Sequence, residues 1–390
     1  SKDVYDCIDH ILSGDVILIL ENYSEIIYCE VKNFPRRGIG IPETEAVLKG
    51  PREGFNELIV DNVALIRRKI KNPDLKFETV VVGKESNTAV ALTYIKGVAP
   101  EELVNKVKET IKKIDIRFVL DSNYIEVNLK KQHSFFDTVG YTEKPDEVAA
   151  KILEGRIGII VDGTPFVITV PYFFLENFQM PDDYYINRHC TNFYRVLRWI
   201  AFFIATFLPG LYTAIITYHF SMIPSLFIFR LAVSRAGVPF PTVIEVITMM
   251  IAFQLIKEAG LRMPHPIGSA MSTVAGLILG DAAVGAGIAS RITVIIVAIS
   301  TLSYFLVPKI YGALSFWSII IVLFSSVLGL AGFMCGALMF IIQISELESV
   351  GYPFLFPLGS ISEYRFKDVF FRGKLDRISK KIIGNGDGKK

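Results

Sequence analysis

The second half of this chain is nearly free of charge. Between Trp199 and Ser345 the only Asp, Glu, Lys or Arg residues are Arg230, Arg235, Glu245, Lys257, Glu258, Arg262, Asp281, Arg291 and Lys309, and from Ile310 to Ser345 there is none. An uncharged apolar run of about 20 residues is long enough to cross the hydrocarbon core as a helix, so this stretch reads as membrane-embedded. Cysteine is also sparse: Cys7, Cys29, Cys190 and Cys335 stand far apart without CxxC spacing, which argues against a disulfide framework or a zinc site. The histidines are dispersed, and His219 and His265 flank apolar segments, where a helix-end role outweighs metal ligation. No GxSxG elbow, Walker A loop, GxGxxG after a strand or HExxH is present. Neither catalysis nor a cofactor is expected. The net charge of +2 speaks against nucleic-acid binding, which needs a concentrated basic face. The opening Ser1-Lys2-Asp3 has no positive n-region and no apolar h-region, so no signal peptide is expected; the absence of an initial Met suggests a trimmed start.

Residues 1–183 hold most of the charge and read as a soluble α/β (α+β) module falling into two subdomains split near 90–100. Gly14 to Val31 and residues 152–171 each place two β-branched runs around a polar turn, as hairpins do. Asp162-Gly163 has the composition of a two-residue turn. Helical spacing covers Gly54 to Lys71, a stretch from Pro100 to Lys113 with Val104, Val107 and Ile111 inward, and Pro145 to Leu153. Val80–Val82 and Val90–Ile95 look like strands, and Tyr124–Leu129 a strand or short helix. Gly50-Pro51-Arg52-Glu53-Gly54 opens a helix, where backbone N–H groups hold anions in some proteins, but a turn before an acidic helix start is the simpler reading.

Residues 184–198 form an amphipathic connecting helix with Arg188, Arg195 and Arg198. Lys and Arg beside a span favour the cytoplasmic side. The tail, 346–390, is basic and is expected on the same side, which requires an even number of crossings. The membrane domain is 199–345. Four spans stand out, at 199–219, 267–289, 292–311 and 316–343, with an ambiguous hairpin at 222–259 whose two arms both cross or both fail to cross. Its arms carry Arg230, Arg235, Glu245, Lys257 and Glu258, and Pro239-Phe240-Pro241 suits a sharp bend. An in-plane or re-entrant hairpin is the favoured reading.

Small residues and stranded charges are the informative features of this domain. Gly276 and Gly280 form a GxxxG pair, extended by Gly268, Ser272, Ala283 and Gly287. Small residues let helix backbones approach closely in lipid. They serve packing within one subunit, packing between subunits, or the lining of a narrow pore. A carboxylate at mid-bilayer costs roughly 2.5–3.5 kcal/mol on insertion scales, which makes Asp281 and Glu245 candidates for an ion path, with a structural role open for each. Glu258 and Arg262, spaced i and i+4, read as a structural pair.

Taken in order, several segments resemble one family. They are Ile41-Pro42-Glu43-Thr44-Glu45, GPREGF at 50–55, NVALIRRKI at 62–70, DGTPFVITVP at 162–171, VPFP at 238–241, EAGLRMP at 258–264, the run from His265 to Ser290, and VGYPFLFPL at 350–358. This pattern resembles the GerA family, the A subunits of bacterial spore germinant receptors. The resemblance implies a multi-pass protein of the spore inner membrane, with module and tail cytoplasmic. It implies rings of like copies, pentamers, that open a path for monovalent cations. It also implies two further partners: a B subunit similar to amino-acid transporters, to which germinant recognition is ascribed, and a lipoprotein C subunit. Competing readings are a membrane-anchored scaffold without its own pore and a secondary transporter; the transporter predicts inverted repeats, and none is visible among the spans.

Overall fold

The structure is a computed structural model that describes residues 16–18, 27–29, 38, 40–42, 44–45, 47–130, 134–263, 276–358, 368 and 370–373. The module contains a short antiparallel pair, β1 (Val16–Leu18) with β2 (Ile27–Cys29), and a five-stranded sheet. The sheet uses β3 (Leu75–Val82), β4 (Thr88–Ile95), β5 (Gly140–Thr142), β6 (Ile157–Val161) and β7 (Val167–Val170) in the order β3-β4-β6-β7-β5. Every pairing is antiparallel, which makes the module α+β. Since β4 pairs with both β3 and β6, the subdomain split expected near 90–100 falls inside one sheet.

Both faces of the sheet are covered, and the sequence shows why. β6 and β7 are apolar at nearly every position and buried throughout, as strands are when neither face meets water. On one face lie α2 (Glu101–Lys112) and α3 (Asn123–Leu129), whose Leu103, Val107, Ile111 and Ile125 pack on Val90, Leu92 and Ile159. On the other lie α1 (Ile59–Lys69) and α4 (Pro145–Leu153), whose Leu65, Ile66, Val148 and Ile152 pack on Ala91, Ile160 and Val167. Asp162 is not half of a tight two-residue turn. The last β6–β7 pair is Ile160 with Val167, so the loop is longer. Its length frees the Asp162 carboxylate to accept from the Ile59 N–H at 3.0 Å and cap α1.

After the short helix α5 (Asp182–Tyr185) the helical part begins with α6, Arg188–Tyr218, one unbroken helix of 31 residues. The expected amphipathic connector and the first expected span are therefore a single rod about 46 Å long. It is followed by α7 (Ser225–Arg235), α8 (Thr242–Arg262), α9 (Gly276–Gly285), α10 (Arg291–Tyr304), α11 (Tyr311–Leu328) and α12 (Leu330–Glu346). Among the described residues two helices, Arg188–Tyr218 and Pro308–Leu328, are long and apolar enough to cross a membrane; α9, α10 and α12 are shorter apolar helices.

One expectation about spans needs correction. The segment 316–343 is not one helix. An uncharged run of 36 residues would make a helix of about 54 Å, far beyond a hydrocarbon core of about 30 Å. The chain instead folds back at Gly329, whose φ of +61° and ψ of −135° are closed to other residues. The arms meet closely: a Cβ on Gly332 would lie 2.0 Å from the Phe324 carbonyl oxygen. Within 222–259 the two arms differ in length. α7 has 11 residues, while α8 has 21 and runs along the bundle. Near its start, Glu245 meets Ser290 and Thr293. Further on, Gln254 donates to Ser315 and Lys257 lies over the Tyr311 ring.

The described start of the tail packs back on the module. Strands β8 (Glu348–Ser349) and β9 (Tyr352–Pro353) follow α12, and Phe354 is fully buried against Phe136, Tyr172 and Phe174. Ser349 accepts from the Tyr172 N–H at 2.8 Å and donates to the Thr138 carbonyl at 2.5 Å. The chain thus leaves the module on α6 and returns to it on α12, so both polar regions sit at the same end of the bundle.

The α11–α12 turn yields a direct test. Gly329→Ala forces a side chain into a conformation it disfavours and brings a Cβ to 3.0 Å from Tyr218 and His219. It should destabilise the detergent-solubilised protein by about 1–3 kcal/mol. Gly312→Ala, where a Cβ meets nothing within 4 Å, should leave thermal unfolding nearly unchanged.

Candidate functional site

The module and the helical bundle share one core. Phe136, Tyr172, Phe174 and Phe178 of the module, Phe202, Trp317 and Phe340 of the helices, and Phe354 of the returning segment form one apolar cluster. Phe178 stacks on Trp199 with ring centroids 3.8 Å apart. This joint is where a change in one part must be felt in the other, because packed cores transmit displacement rather than absorb it.

At its centre sits Asp183, 2% exposed at the base of α6. Arg195 Nε donates to Asp183 Oδ2 at 3.0 Å, and Arg198 binds both carboxylate oxygens at 2.7 and 2.9 Å. Arg195 and Arg198 share a helix face because they stand three residues apart. The second guanidinium arm of Arg195 reaches Asp368 at 2.7 Å, and Asp368 also accepts from the Tyr184 hydroxyl at 2.6 Å. Burial pushes the Asp368 carboxyl up, against the pull of Arg195. Two cations and two anions balance. The sequence marked Arg188, Arg195 and Arg198 as flanking charge for a span. Of these, Arg195 and Arg198 are held inside the joint, and their partners Asp183 and Asp368, 185 positions apart, carried no local signal.

A second ionic chain enters from the turn between α10 and α11. Lys309 lies 3.4 Å from Glu45 and 3.9 Å from Glu147. Glu147 pairs with Lys151 at 2.9 Å, Lys151 with Glu176 at 3.4 Å, and Glu176 with Arg156 at 2.5 Å. The signs alternate from the helices into the sheet. Burial works against the Glu147 carboxylate, but Lys151 and Lys309 outweigh it and hold Glu147 at about 2. Glu45 goes the other way: burial, with the Glu147 charge beside it, raises it. Further along, burial raises Glu154 to about 6 despite Arg156.

The residues singled out for an ion path part company. Glu245 is fully buried. It accepts from the Ser290 N–H at 2.9 Å and the Thr293 hydroxyl at 3.0 Å, at the start of α10, and lies 3.3 Å from Arg235. Its carboxylate is thus absorbed by capping a helix and pairing a cation, and it does not line an open path within this chain. Asp281 is exposed and makes no ion pair or hydrogen bond with a described residue. Ala283 is buried with Tyr212, Val246 and Met249, and Gly287 sits in a turn where a Cβ would meet the Gly237 carbonyl at 3.0 Å. Gly280 is in ordinary contact with Val294, and Gly276 faces open space. Gly268 and Ser272 lie outside the described residues. Arg262 donates twice to Glu258, at 3.0 and 2.7 Å, on an exposed face. Glu53, in the turn considered for anions, pairs with Arg68 and Lys69.

Two outcomes test the joint. Asp183→Asn leaves two guanidinium groups short of counter-charge and should destabilise the protein by about 3 kcal/mol in thermal unfolding. Because Glu147 is held below its unfolded range, its stabilisation is present above about pH 4.5 and lost as pH falls toward about 2. Glu147→Gln should therefore cost on the order of 2 kcal/mol at neutral pH and little near pH 2, read as converging melting temperatures.

The chain is similar in sequence to known proteins along most of its length. A family model described as Bacillus/Clostridium GerA spore germination protein matches residues 1–382. Spore germination protein KA of Bacillus subtilis is 40% identical over 365 residues, which cover 93% of this chain and 67% of that protein. Spore germination protein GerLA of Bacillus cereus is 34% identical over 370 residues, covering 94% of this chain and 75% of its own length. Among solved structures, the crystal structure of the N-terminal domain of the A subunit of the Bacillus megaterium spore germinant receptor GerK3 is 43% identical. That match covers 31% of this chain and 97% of that domain, with a TM-score of 0.26. With the family model spanning both the sheet module and the helices, the chain belongs to the GerA family of spore germination proteins.

Proposed function

We propose that this chain is the A-type subunit of a nutrient germinant receptor in the spore inner membrane, and that like copies, five in number, gather around a path for monovalent cations. The observation that carries this reading is Asp281. It is a carboxylate on an apolar helix, exposed and unpaired among the described residues. Facing hydrocarbon it would cost roughly 2.5–3.5 kcal/mol. Water in a conduit, or a second copy of the chain, removes that cost. Gly276 and Gly285 have open space around them and would allow close approach there. Rings of carboxylates are a standard means of favouring cations.

The module and returning segment lie on the cytoplasmic side in this reading. The helices that leave and re-enter the joint, α6 and α12, cross the bilayer with α8 to α11 between them. The B subunit takes up germinant, the lipoprotein C subunit completes the assembly, and the ionic joint carries the displacement between module and helices. A scaffold that anchors the module while ions move elsewhere is the second reading. It is favoured by Glu245, whose carboxylate is consumed within one subunit.

Liposomes containing this chain with its B and C partners should show germinant-dependent cation flux. Asp281→Asn should lower that flux several-fold with assembly intact. Flux unchanged by the substitution removes Asp281 from the path, and absence of flux in a correctly assembled complex favours the scaffold.

A further inference from the structure

The ionic chain that ties the turn between α10 and α11 to the sheet has one carboxylate too many. Glu45, Glu147, Glu176 and Glu154 face the cations Lys309, Lys151 and Arg156. All of them are buried or half-buried, where an unbalanced charge is poorly screened.

The hydrogens around Thr142 locate the excess. Thr142 ends β5 and is fully buried. Its hydroxyl oxygen accepts from the Lys144 N–H at 3.1 Å and has one hydrogen to give. Two carboxylate oxygens claim that hydrogen: Glu45 Oε2, in close contact, and Glu147 Oε2 at 3.2 Å. With both carboxylates ionised, one contact sets two oxygens together with no hydrogen between them. A proton on one carboxyl completes the set, because Thr142 then accepts from that acid and donates to the other. Glu147 is not the carrier. Lys151 at 2.9 Å and Lys309 at 3.9 Å keep it ionised. Glu45 has one cation, Lys309 at 3.4 Å, and the Glu143 N–H at 3.2 Å. Burial and the Glu147 charge push it up. The other described groups around it are neutral or engaged: burial raises the Tyr141 and Tyr172 phenols, Lys144 pairs with Asp146 at 3.4 Å, and the Glu143 carboxylate accepts from the Thr44 N–H at 3.4 Å.

We propose that Glu45 holds an exchangeable proton that closes the bridge Glu45–Thr142–Glu147, and that its loss to water as pH rises loosens the module's grip on the α10–α11 turn. Two like charges that share one site repel, so the ionised Glu45 withdraws from Thr142 and from the Glu143 N–H, and Lys309 loses a partner. Because Glu45 is held above its unfolded range, the stabilisation by this bridge is fully present below about pH 4.5 and is lost as pH rises from there through the raised value. The joint thereby senses the proton concentration on the module's side. This holds whether or not the chain forms a channel, since it is read without ion flux.

The full chain in detergent micelles provides two readings. In infrared spectra, wild type minus Glu45→Gln should show a carboxylic acid C=O band that persists above the ordinary Glu range and disappears at higher pH. Glu154, Glu126 and Asp368, which burial also raises, contribute to both proteins and cancel. In hydrogen exchange, corrected for its intrinsic pH dependence, the Glu143 amide should lose protection several-fold with the same midpoint. Glu45→Gln, which has the shape of the protonated acid, should keep that amide protected throughout. Glu147→Gln should move the midpoint down and Lys309→Met should move it up, opposite shifts that a merely structural contact does not give and that remain readable if Glu45→Gln fails to fold. Absence of the band, protection at Glu143 that does not change with pH, or a midpoint that neither neighbour moves overturns the proposal.

Discussion

One buried carboxylate, Asp183, holds the base of the longest helix. Two guanidinium groups of α6 close on it, and a third contact chain runs through Asp368 to the far end of the sequence. Buried ion pairs add little net stability when intact but cost heavily when broken. Their value here lies in geometry. They fix the angle and rotation at which a 31-residue rod leaves the sheet module, and the stacked Phe178 and Trp199 rings lock the same position from the apolar side. The rest of the bundle is arranged around that rod: Tyr212 reaches Thr293 of α10, and Tyr218 reaches the carbonyls at the end of α11.

Much of the module was legible in the sequence because its signals are local. Period and punctuation pointed to helices within 54–71, 100–113 and 145–153 and to a hairpin within 152–171, where the structure has helices at 59–69, 101–112 and 145–153 and strands at 157–161 and 167–170. The short strand β5 escaped, since Gly-Tyr-Thr has no periodic signature and exists only by pairing with β7. The lengths of hydrophobic runs were less informative in the helical part. Hydropathy sees an apolar stretch but not the glycine at which it folds back, so 316–343 looked like one span. The same blindness applied to the site. Glu245 and Asp281 look alike in sequence as stranded carboxylates, yet one is enclosed by Ser290, Thr293 and Arg235 and the other is exposed. Only three-dimensional neighbours distinguish them.

The joint and the bundle differ in chemistry as well as position. Ionic and aromatic contacts dominate where polar and apolar regions meet, and small or hydroxylated residues dominate within the helices. Ser and Thr there largely bond backward to their own helix, as Thr213 does to Pro209, Thr301 to Val297 and Ser303 to Ile299. Such residues satisfy themselves without water and leave helix surfaces smooth. A bundle of this kind can slide by small steps, whereas the joint, with its alternating charges, has a single good register.

The returning segment carries a consequence for how the protein is made. Phe354 and Ser349 complete a core whose other members, Phe136 and Tyr172, emerge from the ribosome far earlier. At ordinary translation speeds the interval is on the order of 10 s. Throughout that time the nascent module has an open apolar seam, and closing it requires that every intervening helix has already folded into place. Correct packing of the helices is thereby a precondition for a finished globular part. A polypeptide whose helices pack astray displays that seam to the cell's proteases and chaperones.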